Sequence, residues 1–132
     1  METIKFKFHM REDDVGKLTF LETSRDIPFD VKRVYYIYGV KAGARRGFHS
    51  HKELQQALIC IHGSCKVMLD NGKEKVDVVL DNPSEGLFVD KNIWREMYDF
   101  SSDAVLLALA SEYYDEQDYI RNYDDFIKNL ED

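Results

Sequence analysis

The chain has 132 residues, of which 44% are hydrophobic and 13% aromatic, and its 25 acidic against 18 Lys and Arg residues give a formal charge of −7. That length suits one domain with one core, and that apolar content excludes a disordered polymer. No apolar run approaches the roughly 20 residues of a membrane-spanning helix.

In chain order, the opening METIKFKFHMREDD alternates and carries charge where a secretory leader needs about 7–15 uninterrupted apolar residues. A cytoplasmic location is the expectation. Strand-like runs rich in Val, Ile, Tyr and Phe then recur: IKFKF (4–8), KLTFLE (17–22), KRVYYIYGV (32–40), ALICIHG (57–63), CKVMLD (65–70), KVDVVLD (75–81), GLFVD (86–90) and AVLLALA (104–110). Asp70-Asn71-Gly72 between two of them is a two-residue hairpin signal, and Asp81-Asn82-Pro83 marks another turn. Cys60 and Cys65 sit within strand-like sequence and are expected as reduced core thiols. Eight runs without intervening helices predict antiparallel strands closed into a barrel or double sheet of jelly-roll type. The period then changes: Tyr119, Tyr123, Phe126 and Leu130 recur at steps of three and four, which predicts one C-terminal α-helix over about 115–130. Asp115 would cap it, with Glu116 and Asp118 in its first turn. No repeat or linker interrupts residues 1–132, so they read as a single domain.

The charge is unevenly placed. From residue 112 onward eight acidic residues face only Arg121 and Lys128, whereas residues 31–52 hold Lys32, Arg33, Lys41, Arg45, Arg46 and Lys52 and no acidic residue. A short cationic segment in an acidic protein fits a compact anionic ligand and argues against a nucleic-acid partner; a solvated basic loop is the plain alternative.

Within RRGFHSHKELQQALICIHG (45–63), His49 and His51 lie two residues apart, which on a strand points both to one face. They could ligate a metal, move a proton or fill a core. On the preceding strand the same parity groups Arg33, Tyr35 and Ile37. The run Gly43, His49, His51, Gln56, Gly63 has the spacing of the first cupin motif, G-x5-H-x-H-x4-E-x6-G, with glutamine where metal-binding cupins carry glutamate. An amide is a poor replacement for a carboxylate on a divalent ion, so a metal site would need Glu53 or Glu96 to complete it. Acid–base chemistry needs no such rescue, because an imidazole accepts and returns protons near neutrality. His9 and His62 lack comparable company.

Taken together, IPFDVKRVYYIYGV (27–40), RGFHSHKELQQALICIHGSCKV (46–67), GLFVDKNIWREMYDFSSDAVLLALASEYYDE (86–116) and DYIRNY (118–123) closely resemble the dTDP-sugar 3,4-ketoisomerases of bacterial deoxysugar biosynthesis. The resemblance implies an all-β, cupin-type jelly-roll barrel with one C-terminal helix. It implies an isomerase that moves the ketone of dTDP-4-keto-6-deoxy-D-glucose to C3, without redox cofactor or metal, and a homodimer, often with exchanged N-terminal strands. Residue by residue it implies His49 as base at C3, His51 as second proton carrier or orienting group and Tyr35 at the C4 oxygen. Arg33 and Arg46 would meet the diphosphate. Arg95 would lie near the sugar, with a second diphosphate contact or a surface position as its alternatives. A gluco-configured product is favoured, since arginine at 95 supplies no transferable proton there. A 3,5-epimerase, a metal-dependent cupin enzyme and a non-catalytic sugar-nucleotide-binding module are the competing readings. Phe, Tyr and Trp94 are candidates to stack on the thymine.

Overall fold

The computed structural model describes residues 1–131. β-Branched and aromatic residues alternating with polar ones produce strands β1 (Ile4–Lys7), β2 (His9–Asp13), β3 (Gly16–Phe20), β4 (Arg33–Tyr38), β5 (Arg46–His51) and β6 (Gln56–His62). After these come β7 (Cys65–Asp70), β8 (Lys75–Leu80), β9 (Glu85–Val89), β10 (Trp94–Tyr98), β11 (Val105–Ala110) and the short β12 (Tyr119–Ile120), followed by helix α1 (Tyr123–Glu131). Two five-stranded sheets form, in the orders β1, β9, β6, β11, β4 and β12, β5, β10, β7, β8, with every described pairing antiparallel. The jelly-roll expectation holds.

Strand parity divides the side chains into three apolar layers. Leu58, Val67, Leu87 and Leu106 meet between the sheets. On the outer side of the first sheet Ala57, Ile59 and Leu109 are covered by Phe8, Ile27 and Phe29. On the outer side of the second, Met68, Trp94 and Ile120 are covered by Phe126 of α1. Trp94 is therefore packed beneath the helix and has no route to a ligand between the sheets, which removes it as a thymine-stacking candidate. Cys60 and Cys65 are buried free thiols.

Several elements depart from the sequence reading. The helix does not begin at 115. Asp115 caps a single 3₁₀ turn (Glu116–Asp118), accepting from the Gln117 amide, and Tyr119 and Ile120 then pair with His51 and Ser50 of β5. Strand pairing and the two amides of Glu53 and Leu54 that donate to Asp118 hold this stretch extended, so α1 starts only after Asn122, whose side chain accepts from the Asp125 amide. The turn after Asp70 spans four residues, because Asn71 accepts from the amides of both Lys73 and Glu74 and pushes closure to Lys75. The hairpin of β2 and β3 pairs only with itself, and β1 pairs with β9 of the same chain.

One irregularity positions the site. In the β10–β5 ladder Arg95 faces His49 and Glu96 faces Gly47, so an extra residue, Phe48, is bulged out, with φ at 56°. Met97 faces Arg46. Because Arg95 and Met97 share a face of β10, the bulge brings Arg46 onto the face of His49, which a regular strand would forbid. Gly47 permits this at φ 94°, where an added Cβ would meet the Arg95 carbonyl and Met97 Sδ at 2.9 Å each. Gly47→Ala is expected to cost about 1–3 kcal/mol of stability through backbone strain, read as a lower urea midpoint with unchanged slope.

Candidate active site

At one end of the sandwich a cleft of about 420 Å³ opens between the sheets. Arg33 and Tyr35 of β4, Arg46 and His49 of β5, Tyr119 of β12 and Arg121 form its wall. The inward-facing sets of β4 and β5 thus converge, and of the six residues singled out from the sequence only His51 and Arg95 lie behind the surface layer, both with no exposure.

His49 is 9% exposed and its Nδ1 lies 3.0 Å from the Gly47 carbonyl. A carbonyl only accepts, so Nδ1 carries the proton and Nε2 keeps its lone pair. Burial, and after it the Arg95 charge, lower its pKa from the usual histidine value to about 4. The His51 ring stands edge-on to that of His49 with centroids 4.9 Å apart, and 4.2 Å from the Tyr119 ring. Neither of its nitrogens has a hydrogen-bond partner. Asp118 Oδ2 lies 3.6 Å from its Nδ1, beyond hydrogen-bonding distance, because that carboxylate is committed to the Glu53 and Leu54 amides. Burial again, with Arg95 next, drives the His51 pKa far below the normal range. Both imidazoles are neutral at neutral pH.

A chain of three side chains runs from the buried Arg95 and Gln56 to Tyr35 at the wall. Arg95 donates from Nε and Nη2 to the Ile93 carbonyl at 3.2 and 3.1 Å, and from Nη1 to Gln56 Oε1. Gln56 Nε2 donates to the Tyr35 hydroxyl oxygen at 2.6 Å. Burial raises the Tyr35 pKa, so the phenol keeps its proton. Burial lowers that of Arg95 to about 10, which leaves the guanidinium charged at neutral pH. A surface position for Arg95 is thereby overturned.

The mouth is cationic. Arg33 packs over the Tyr35 and Tyr114 rings at 5.3 and 5.4 Å, while its buried Nε and Nη2 have no acceptor. Arg121 stacks on Tyr119 at 4.4 Å and pairs with Glu116. Orphaned guanidinium donors beside further arginines make an anion cradle, since forked N–H groups match phosphate or carboxylate oxygens. Lys32 and Arg45 are spent elsewhere, on Glu112 and Glu96. The carboxylates that could have completed a metal site point away: Glu53 pairs with Lys91 on the surface, and Glu96 accepts from Arg45 and the Trp94 indole. Among the described residues no three His, Cys, Asp or Glu side chains are grouped to hold a metal ion.

Residues 1–131 match the family described as "FdtA: WxcM-like, C-terminal". The chain belongs to this FdtA family. It is 50% identical over 130 residues to a TDP-4-oxo-6-deoxy-α-D-glucose-3,4-oxoisomerase of Aneurinibacillus thermoaerophilus, covering 98% of this chain and 94% of that one. Among solved structures it is similar to QdtA, a sugar 3,4-ketoisomerase from Thermoanaerobacterium thermosaccharolyticum in complex with TDP, at 50% identity and a TM-score of 0.96 over 98% of this chain and 94% of that one. It is also similar to the WlaRB TDP-quinovose 3,4-ketoisomerase of Campylobacter jejuni, at 44% identity and a TM-score of 0.92 over 96% and 98%. This FdtA-family member is an isomerase.

Three residues at or behind this cleft carry little sequence signal. Gln56, buried behind the wall, stands out only at the position of the cupin glutamate. Tyr119 fits a helical stripe and Arg121 lies in an acidic tail, so only their place in DYIRNY points to them. Both buried histidines tie stability to pH. An unfolded histidine binds a proton near 6.5 whereas His49 resists until about 4, so the unfolded state holds more protons in that window. Folding stability is expected to fall as pH drops from 6.5 toward 4, by about 1.4 kcal/mol per pH unit for each such histidine. Urea titrations across that range check it, and the slope should lessen in His51→Gln.

Proposed function

We propose that this FdtA-family isomerase converts dTDP-4-keto-6-deoxy-D-glucose to a dTDP-3-keto-6-deoxyhexose by proton transfer through an enediol, with His49 as the base. The observation that carries the assignment is the His49 tautomer: its Nδ1 proton is fixed on Gly47, and its free Nε2 belongs to a cleft whose mouth holds unpaired arginine donors. The hydrogen at C3 is acidified by the C4 ketone, so a neutral imidazole can remove it. Overall a C3–H bond breaks and a C4–H bond forms. O3 loses a proton and O4 gains one, so C3 is oxidised, C4 is reduced and no external oxidant enters. Tyr35, held as a neutral phenol by burial, donates a hydrogen bond to the C4 oxygen as charge develops there. Arg33 and Arg46 take the diphosphate, with Arg121 beside them. His51 is enclosed, and orients the His49 ring or passes a proton through it.

Arg95 bears on the product. In a gluco ring the hydrogens at C3 and C4 lie on opposite faces, so the proton arriving at C4 must come from the face opposite the base. The guanidinium at 95, opposite His49 in the ladder, stays charged with its pKa at about 10 and is a poor acid at neutral pH, so no proton is readily released on the side of the base, and the likeness to a quinovose enzyme, quinovose being 6-deoxyglucose, supports the gluco outcome. A homodimer is part of the reading. Val34, Tyr36 and Tyr38 form an exposed apolar row on the edge strand β4, suited to a second copy, and the β1–β9 pairing is one that exchanged N-terminal strands would transfer to a partner. The setting we infer is cytoplasmic synthesis of deoxysugars for a surface glycan, either lipopolysaccharide O-antigen or S-layer.

Two outcomes test the reading. NMR of the protein with freshly prepared dTDP-4-keto-6-deoxyglucose should show a 3-keto product, and His49→Asn should bind dTDP normally while losing turnover by roughly 10²–10⁴-fold; binding without turnover in the parent would leave only a sugar-nucleotide-binding module. In the same assay Arg95→His is expected to divert product toward the galacto configuration, and an unchanged ratio removes Arg95 from stereocontrol.

A further inference from the structure

The glutamine at the position of the cupin glutamate bridges Arg95 and Tyr35. Arginine has only donors, so the Gln56 atom facing Arg95 must be the carbonyl oxygen, and the atom facing Tyr35 must be the amide nitrogen. Amide orientation is thus fixed by chemistry. An amide nitrogen only donates, so the Tyr35 oxygen is an acceptor in this contact and its own hydrogen must point elsewhere. The phenol borders the cleft, and Gln56 is its sole hydrogen-bond partner among the described residues. Gln56 itself has no exposure to bulk solvent, so its orientation is set by these two partners.

We propose that Gln56 is a positioning residue that sets the direction of the Tyr35 hydroxyl, relaying the donor-only character of Arg95 so that the phenol presents its hydrogen to the carbonyl oxygen of the bound sugar. The inference rests on the isomerase reading and names what keeps its Tyr35 in the donating sense. A glutamate at this position would hold Arg95 at least as well, yet it would accept from Tyr35 and turn the phenol hydrogen away from the cleft. Glutamine is therefore required here for its polarity as well as for its volume. A chain with glutamate could anchor the arginine or aim the phenol, and not do both.

The isosteric variant Gln56→Glu separates the two roles. If Gln56 sets the hydroxyl, kcat falls by roughly 10²-fold, the scale of losing one oxyanion donor, while KM and dTDP affinity stay within about threefold and the urea midpoint does not drop. In a Tyr35→Phe background the same substitution should then have no further effect on kcat, because its route to the substrate is gone. Wild-type kcat in Gln56→Glu, or an undiminished loss in the Tyr35→Phe background, overturns the proposal and leaves the isomerase reading standing. Absence of turnover in the parent protein sinks that reading instead and is visible before any variant is made. Should Gln56→Glu not fold, Gln56→Met, which removes both the donor to Tyr35 and the acceptor of Arg95, is measured in the same two backgrounds for kcat alone, where a loss of kcat that vanishes in the Tyr35→Phe background supports the proposal and an undiminished loss overturns it.

Discussion

A full positive charge lies at zero exposure between the two sheets, and no carboxylate is hydrogen-bonded to it. Taking a guanidinium out of water costs several kcal/mol even after relaxation, and here only a backbone carbonyl and one amide oxygen compensate it directly. The rest of the site follows from that arrangement. Arg95 is the second cause, after burial, of the depressed basicity of both His49 and His51. It orders Gln56, and through Gln56 it orders Tyr35. Removing the guanidinium would therefore change the protonation of two imidazoles and the hydrogen-bond sense of a phenol at once, which is why single contacts in this cluster should not be expected to contribute additively.

The scaffold supports this cost by keeping the polar cluster at one end of the sandwich and dedicating separate apolar layers to cohesion. Leu58, Leu87 and Leu106 fill the space between the sheets, and Phe126 seals the outer face of β10. Strand β10 illustrates the division. Arg95 and Met97 point inward, one to the site and one to the core, while Trp94 packs beneath the helix and Glu96 anchors Arg45 outside. The bulge at Phe48 then recruits Arg46 to the ligand face without moving His49 from the register of Arg95. Sheet regularity alone would have given a cleft with an imidazole and one arginine fewer at its mouth.

These layers explain what the sequence disclosed and what it concealed. Two-residue periodicity is a local property, so the strand faces of Arg33 and Tyr35, and of His49 and His51, could be read without coordinates. The cationic character of segment 31–52 could likewise be read because charge survives in composition, and Arg33 and Arg46 of that segment do line the cleft. Concealed features were those decided by partners distant in sequence. Tyr119 has a helical spacing to Tyr123 and Phe126, but Asp118 is bound by amides some 65 positions earlier, and pairing with β5 outweighs local propensity. The bulge depends on Met97 and the Arg95 carbonyl pressing against Gly47, which no count of residues between Arg46 and His49 reveals. Arg95 lies in no run legible as a strand, so only the resemblance pointed to it, and the alternation of β10 is what places it inside.

The depressed basicity of His49 ties its protonation to the charges around the cleft. Arg95 and Arg121 both oppose protonation of the ring, whereas Glu116 favours it. An anion settling among Arg33, Arg46 and Arg121 would bring negative charge into the same cleft and offset part of that cationic field. Such an anion would raise the basicity of the His49 imidazole, which in the open cleft is too weak to hold a proton at neutral pH. The buried arginine is not neutralised by that anion, because its donors already face Ile93 and Gln56. Its field on the two imidazoles therefore persists when the mouth is filled.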